Sequence, residues 1–480
     1  MRYQDPALPI PERVADLLAR MTREEKIAQL NQTYAISENR ERVKEQIRRH
    51  GLGSRILTGS SLAGNLTERM LAVEDLNELQ RVAVAESRLG IPLLHGRDVI
   101  HGHRTVFPIP LALAATFDPE LVEAVCAAAA REARRSGVHW SFAPMIDIAR
   151  DPRWGRIVEG NGEDPYLGAA MAAAGVRGFQ GQDARTLQPY APDRLLACAK
   201  HYVGYGAAEG GRDYNTAEIS DNTLRNIYLP PFQAAIEAGV GSVMAAFQDL
   251  NGEPVSGSRY LLTDVLRGEL GFEGIVVSDW TSVSELVNHR VAADRRAAAR
   301  LAFDAGVDMD MCSESYVEHL GGLIDAGLIT PERLDEACRR VLTAKFQLGL
   351  FERPYTDPAR AAEAQSPPEH RALARRAAAR GLVLLQNNGL LPLARGVRRL
   401  AVIGPLADQR RALLGCWVSD GLEAETPTLV EALRAAVAPN SELLACGGPL
   451  TDQMLMTAEG ADVVVLAVGE SDARTGENNH

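Results

Sequence analysis

Long hydrophobic runs are missing from this sequence. No stretch approaches the roughly 18 uninterrupted apolar residues that a membrane-spanning helix needs, so no membrane partner is expected. The opening text, MRYQDPALPIPERVADLLAR, has no apolar segment behind a basic one. As given, the chain therefore reads as cytoplasmic, and as periplasmic or secreted if residues precede Met1. The six cysteines, Cys126, Cys198, Cys312, Cys338, Cys416 and Cys446, lie far apart with no CxxC pair, which excludes the common cysteine metal and redox motifs. They read as small buried hydrophobes in a reducing compartment. Basic clusters are also lacking, and a net charge of -12 disfavours a polyanionic partner such as nucleic acid. Aromatics make up only 5% of the chain, beside 46% hydrophobic and 24% charged residues, a composition typical of a soluble globular protein.

At 480 residues the chain is too long for one ordinary domain. From about residue 90, short apolar runs alternate with longer helical patterns. The expected strands are IPLLH (91–95), HWSFAP (139–144), LACAKHY (196–202), GSVMAAF (241–247), GIVVSD (274–279) and GVDMDM (306–311). Helical text stands between them, as in DPELVEAVCAAAAREARRSG, where Asp118 can cap and Pro119 sits in the first turn. This alternation implies βαβ units, a parallel sheet and, over so long a segment, a (β/α)8 TIM-like barrel. The expected division is a barrel over 1–351, a linker over 352–372 rich in Pro and small polar residues, and an α/β sandwich domain over 373–480. In the second domain the apolar runs GLVLLQN (381–387), RLAVIGP (399–405) and ADVVVLAVGE (461–470) read as strands. So few strands would leave a sheet with bare edges, and the domain is expected to be incomplete.

Polar residues gather at the C-terminal ends of the barrel strands: Asp98 after the first, Lys200 and His201 on the third, and Asp279 followed by Trp280 on the fifth. That end of a barrel carries chemistry. An aspartate after a strand often just caps a helix, but Asp279 shares its rim with Asp98, Arg156, Lys200, His201 and Trp280. Carboxylates, cations and a flat indole together suit a polyhydroxylated substrate. His101 and His103, in IHGHRT, have a metal-like spacing without further nearby ligands and read as hydrogen-bonding loop residues. Arg156 and Glu163, within RWGRIVEGNGED, are a candidate ion pair. The stretch GAAEGGRD lacks the strand-to-helix spacing of a phosphate loop, and no nucleotide is implied.

Five blocks carry a resemblance: DVIHGHRTVFPIPLALAATFD (98–118), FAPMIDIARDPRWGRIVEGNGEDPYL (142–167), AKHYVGYGAAEGGRDYN (199–215), LNGEPVSGSRYLLTDVLRGELGFEGIVVSDW (250–280) and LVLLQNNGLLPL (382–393). With these the chain resembles glycoside hydrolase family 3, in particular its bacterial periplasmic-type β-glucosidases. The resemblance implies a barrel followed by an α/β sandwich and a retaining exo-acting β-glucosidase working through a covalent glycosyl-enzyme. No cofactor or metal is implied, and the partner is a small-molecule β-glucoside or oligosaccharide. The family's nucleophile falls on Asp279 in SDW, and its sugar-binding residues fall on Asp98, Arg156, Lys200 and His201, with Trp280 nearby. Its acid/base lies on a loop after a strand resembling VVVLAVGE, seven residues past Glu470, which selects Glu477 over Glu470. The hexosaminidase branch would show a histidine where Tyr205 stands, and the β-xylosidase branch commonly has cysteine where Trp280 stands. The alternatives are those β-glycosidases or a non-catalytic glycan-binding protein.

Overall fold

In the computed structural model the chain is described over residues 1–58, 72–181, 186–363, 365–394, 396–449 and 451–478. Eight short parallel strands form its first architectural unit: β1 Asn31–Tyr34, β2 Ser54–Ile56, β3 Leu94–Arg97, β4 Trp140–Ser141, β5 Cys198–Tyr202, β6 Ser242–Ala245, β7 Ile275–Val277 and β8 Asp310–Met311. Two hydrogen-bonded sheets account for them, in the orders β8-β1-β2-β3-β4 and β5-β6-β7. Isolated parallel bridges join the two sheets on both sides, Trp140 to Leu196 and Met145 to Lys200 on one and Val277 to Met309 on the other, so the sheet closes into a barrel. Closure leaves no strand edge, and the interior must then be filled by side chains. Gly96 illustrates the fit, since a Cβ there would lie 2.6 Å from the Phe142 ring.

Five of the eight strands fall within the expected apolar runs, shortened at their ends, while β3 starts three residues into IPLLH and runs two residues past it. β1 and β2 were not expected. Their text, NQTY and SRI, points polar Asn31, Gln32, Ser54 and Arg55 into buried positions, so no apolar run marks them. The helices begin where capping chemistry places them. Asp118 accepts from the Leu121 amide at 3.0 Å ahead of Pro119–Arg135, and Asp294 accepts from the Ala297 amide at 2.8 Å ahead of Arg295–Ala305. The helices are clamped to the barrel by a buried node: Asp308 receives Arg267 at 2.7 Å, Arg340 at 2.9 Å, Arg333 at 3.2 Å and the Val276 amide at 3.0 Å. The three guanidiniums hold its carboxyl below the usual carboxylate range against the effect of burial.

After the barrel, helix Pro358–Glu363 is followed by Pro368–Gly381, which packs on the barrel helices Pro110–Ala114 and Pro119–Arg135. His370 Nδ1 lies 2.7 Å from Glu132. The second unit has three parallel strands, β9 Arg399–Gly404, β10 Glu442–Gly447 and β11 Val463–Leu466, with β9 in the centre. The run GLVLLQN is a correction to the expectation. Residues 382–385 form no strand and are 63–92% exposed, because no ladder partner lies beside them among the described residues. The third strand is instead ELLACG, whose half-exposed side chains disguise it in the sequence. Among the described residues no helix is long and apolar enough to cross a membrane.

Candidate active site

At the C-terminal end of the barrel a small pocket is lined by Asp98, Arg156, Lys200, His201, Asp279, Trp280 and Glu477, together with the apolar Ile56, Phe142, Met244 and Met311. All seven residues picked out in the sequence are thus brought together. Strand geometry explains most of this. Lys200 and His201 end β5, Asp98 follows β3 and Asp279 follows β7, and parallel strands release those residues at one rim.

Asp279 is 7% exposed, and its Oδ1 accepts from the Trp280 amide at 2.7 Å. Its Oδ2 has no hydrogen-bond partner and lies 3.7 Å from His201 Nε2. His201 Nδ1 is 2.8 Å from Asp147 Oδ2, while Arg156 Nη2 is 3.2 Å from His201 Nε2. The arginine can only donate, so Nε2 accepts and the proton sits on Nδ1 facing Asp147. Burial, with Arg156 and Lys200 alongside, holds this imidazole neutral, well below the usual histidine range. Lys200 donates to Asp98 at 2.6 Å. Against burial, which favours the neutral amine, that carboxylate keeps the ammonium above its ordinary range.

Arg156 is fully buried and pairs with Glu159 through two bonds, of 2.9 and 3.1 Å. The expected pairing with Glu163 is corrected here. Glu159, one helical turn on, points inward with Arg156, whereas Glu163 is exposed. On its other side Arg156 Nη1 lies 3.5 Å from Glu477 Oε1. Asp279, His201, Arg156 and Glu477 therefore form one continuous chain of contacts across the pocket.

Glu477 arrives from the second unit, and barrel loops hold the segment that carries it. Gly476 N–H donates to the Gly155 carbonyl at 2.8 Å, Tyr214 donates to Glu477 at 2.7 Å, and Asn478 N–H donates to Asp213 at 2.7 Å. Asp213 is itself fixed by the Trp154 indole at 2.8 Å and the Tyr205 hydroxyl at 2.6 Å. Glu477 is only 4% exposed, while its sequence rival Glu470 is solvent-exposed beside Arg474 and lines a different cavity. Burial raises both Glu477 and Asp279 above the usual carboxylate range, and at Asp279 the neighbouring Glu477 adds to the push. Two such carboxyls facing one pocket titrate as a pair, which holds a proton near neutral pH.

A second contribution from beyond the barrel is Trp417, which lines the pocket and has the Lys200 ammonium 5.1 Å from its ring centroid. Its segment is latched to the barrel rim through Cys416 O to His101 Nε2 at 2.6 Å, Asp420 to Arg97 at 3.0 Å and Ser419 Oγ to Asp98 O at 3.3 Å. Burial pushes His103 down to about 4, and it stands 3.6 Å from Asp420. The two histidines of IHGHRT thus serve the junction of the two units. Sequence reasoning missed Asp147, Glu159, Asp213, Tyr214 and Trp417. Asp147 and Glu159 lie inside the quoted blocks, but only their buried proximity to His201 and Arg156 gives them meaning, and Trp417 stands in no motif.

Residues 22–344 match the glycosyl hydrolase family 3 N terminal domain and residues 382–480 match the family 3 C-terminal domain. The chain is 38% identical to a periplasmic beta-glucosidase of Salmonella typhimurium, over 97% of this chain and 63% of that protein. It is 36% identical to a beta-xylosidase of Formosa agariphila, over 86% of this chain and 61% of that protein. The crystal structure of a beta-glucosidase from Listeria innocua in complex with glucose superposes with a TM-score of 0.87 at 37% identity, covering 97% of this chain and 65% of that one. A mutant of the Listeria enzyme, in complex with laminaribiose, gives a TM-score of 0.88 at 38% identity, with 97% and 65% covered. The chain thus spans a little under two thirds of the length of these relatives. Two family-domain matches across most of its length, on the architecture just described, make this chain a member of glycosyl hydrolase family 3.

Proposed function

We propose that the pocket is the active site of a retaining, exo-acting β-glucosidase that releases terminal non-reducing β-D-glucosyl units from β-glucosides and oligosaccharides. The observation that carries this reading is the meeting of Asp279 and Glu477, far apart in sequence, in one buried pocket furnished with Asp98, Arg156, Lys200 and His201. Retaining glycoside hydrolysis needs two carboxyl groups of different protonation, and a pair that holds a proton near neutral pH supplies both. In this reading Asp279 Oδ2, the oxygen left free by the bond to the Trp280 amide, attacks the anomeric carbon. Glu477 protonates the departing oxygen and afterwards takes a proton from the water that releases the sugar. Asp98 accepts from neighbouring sugar hydroxyls, Lys200 and Arg156 donate to others, and His201 is held neutral and oriented by Asp147. Trp280 and Trp417 offer flat apolar surface to the sugar's C–H faces. Glucose over xylose is supported by the tryptophan at 280 and by the glucosidases among the relatives. The division into a barrel at 1–351, a linker at 352–372 and an α/β domain at 373–480 belongs to the same proposal, and the linker's task is to bring the Glu477 loop to the barrel mouth.

The test is a 2-deoxy-2-fluoro-glucosyl fluoride. A slowly hydrolysed adduct of one fluoroglucosyl unit on the peptide containing Asp279 is expected, and Asp279→Ala is expected to abolish p-nitrophenol release from the aryl β-glucoside with folding intact. An adduct on another peptide, or an active Asp279→Ala variant, refutes the assignment.

A further inference from the structure

The stretch GAAEGGRD (206–213), whose glycines lack the spacing of a phosphate loop, packs against the loop that follows β4. A Cβ on Gly206 would lie 2.2 Å from the Ile148 carbonyl oxygen. One on Gly211, where φ is 68°, would lie 2.9 Å from the Asp151 carboxyl carbon and 3.0 Å from the Trp154 amide nitrogen. Neither position admits a side chain, so glycine is what lets the two loops close on each other. The Glu209 amide donates to the Thr216 carbonyl at 3.0 Å and completes the turn. Asp213 is thereby set against the loop that carries Trp154 and Arg156.

Three donors from separate parts of the chain meet on this one carboxylate. Its Oδ1 accepts from the Trp154 indole at 2.8 Å and the Tyr205 hydroxyl at 2.6 Å, and its Oδ2 accepts from the Asn478 amide at 2.7 Å. The first two donors are fixed parts of the barrel, since Trp154 and Tyr205 are buried and pack edge to face with centroids 5.3 Å apart. The third belongs to the residue next to Glu477. One oxygen is thus committed to the barrel, and the other receives the backbone of the segment arriving from the second unit. The start of that segment is tied within its own unit, where Asp472 accepts from Arg411 at 3.0 Å. Charge-assisted bonds of this kind are the strong ones.

We propose that Asp213 is a positioning residue: it seats the segment carrying Glu477 so that the Glu477 carboxyl stands at the glycosidic oxygen. The inference rests on the β-glucosidase reading of the pocket. Tyr214 bonds the Glu477 carboxyl and bears on its protonation, whereas the adjacent Asp213 holds the backbone beside it and decides where that carboxyl stands. A reacting group displaced by about 1 Å loses on the order of 100-fold in rate, so a backbone anchor one residue away is a sensitive control. Its loss shows only in the steps where Glu477 moves a proton, which are departure of a poor leaving group and activation of water.

The test is Asp213→Asn, which conserves shape. With its amide oxygen towards Trp154 and Tyr205, its NH2 group meets the Asn478 N–H donor to donor. Two substrates and azide separate the steps. A 2,4-dinitrophenolate departs without a proton, and azide attacks the anomeric carbon without a general base, breaking the bond to Asp279 and giving β-glucosyl azide. The variant's kcat/KM is expected to fall about 10- to 100-fold on cellobiose and at most about threefold on the 2,4-dinitrophenyl β-glucoside. Azide is expected to raise its lowered kcat on the latter with β-glucosyl azide as product, which also reports an intact pocket. In a Glu477→Gln background the same substitution should change that kcat by less than about twofold, since no acid/base is left to misplace. Equal losses on the two substrates, no response to azide, or a full further loss in the Glu477→Gln background overturns the inference and leaves the glucosidase reading in place. A Glu477→Gln enzyme with neither leaving-group dependence nor azide recovery overturns both.

Discussion

The hydroxyl of Tyr214 is the group through which the barrel tunes the proposed acid/base. It donates to Glu477 at 2.7 Å, and Glu477 is 4% exposed. A donor stabilises the carboxylate more than the acid, so this bond opposes the upward push of burial. Tyr214→Phe removes the donor and leaves the ring, which packs edge-on to Phe247 with centroids 5.3 Å apart. A hydrogen bond to a charged, buried group is worth about 1.5–3 kcal/mol, which corresponds to roughly one to two pKa units. Glu477, already raised by burial, should therefore hold its proton to higher pH in the variant, and the upper titration of its pair with Asp279 should rise by about that amount. The protonated form is the one that assists departure of the leaving group, so the alkaline limb of kcat/KM should move to higher pH. The substrate must be one whose leaving group needs the proton, such as cellobiose, with glucose release followed across pH 5 to 10. An alkaline limb that stays in place, or moves to lower pH, would refute the reasoning, because it would mean that Glu477 is not the group whose protonation limits cleavage.

Three further outcomes follow from buried groups elsewhere. Asp308→Ala strands three guanidiniums around an empty centre and is expected to cost about 3–5 kcal/mol in a denaturant titration; a loss below about 1 kcal/mol would show that the node is not a clamp. Lys345 is fully buried with only Gln29 at 2.5 Å and the Leu52 carbonyl at 3.4 Å for company, and burial pushes its ammonium down to about 7. Its folded value lies below the unfolded one of 10.5, so charging it costs stability below about 7 and the cost fades as pH rises towards 10.5. Lys345→Met should accordingly be more stable than wild type by about 1–4 kcal/mol near pH 6, an advantage that shrinks by pH 10, and thermal melts at the two pH values decide it. Asp420→Ala cuts the bond to Arg97 that seats the Trp417 segment, and is expected to raise KM for the aryl glucoside about three- to tenfold with little change in kcat; an unchanged KM would remove Trp417 from the sugar's binding surface.

Legibility in the sequence followed local physics. Helix starts at Asp118, Asp294 and Thr428 were written in capping chemistry that involves only neighbours within three residues. Strands such as Ile275–Val277 showed themselves because both faces are buried and the run is uniformly apolar. Where a strand turns polar residues into the barrel, as Asn31–Tyr34 does, the apolar signal vanishes although burial is just as complete. GLVLLQN failed the other way, since apolar text specifies a strand only when a partner strand is beside it.

By itself the sequence determined the alternation that makes a barrel, the strand ends that carry Asp98, Lys200, His201 and Asp279, and the motif blocks that place the chain in its family. Those features depend on residues close together along the chain. The tertiary structure decided which carboxylate faces Asp279, that Glu159 and not Glu163 holds Arg156, and that Trp417 closes over Lys200. Each of these is a contact made by folding one part of the chain back on another, and the energy that selects it, burial of charge against a specific partner, exists only once water has been excluded between them.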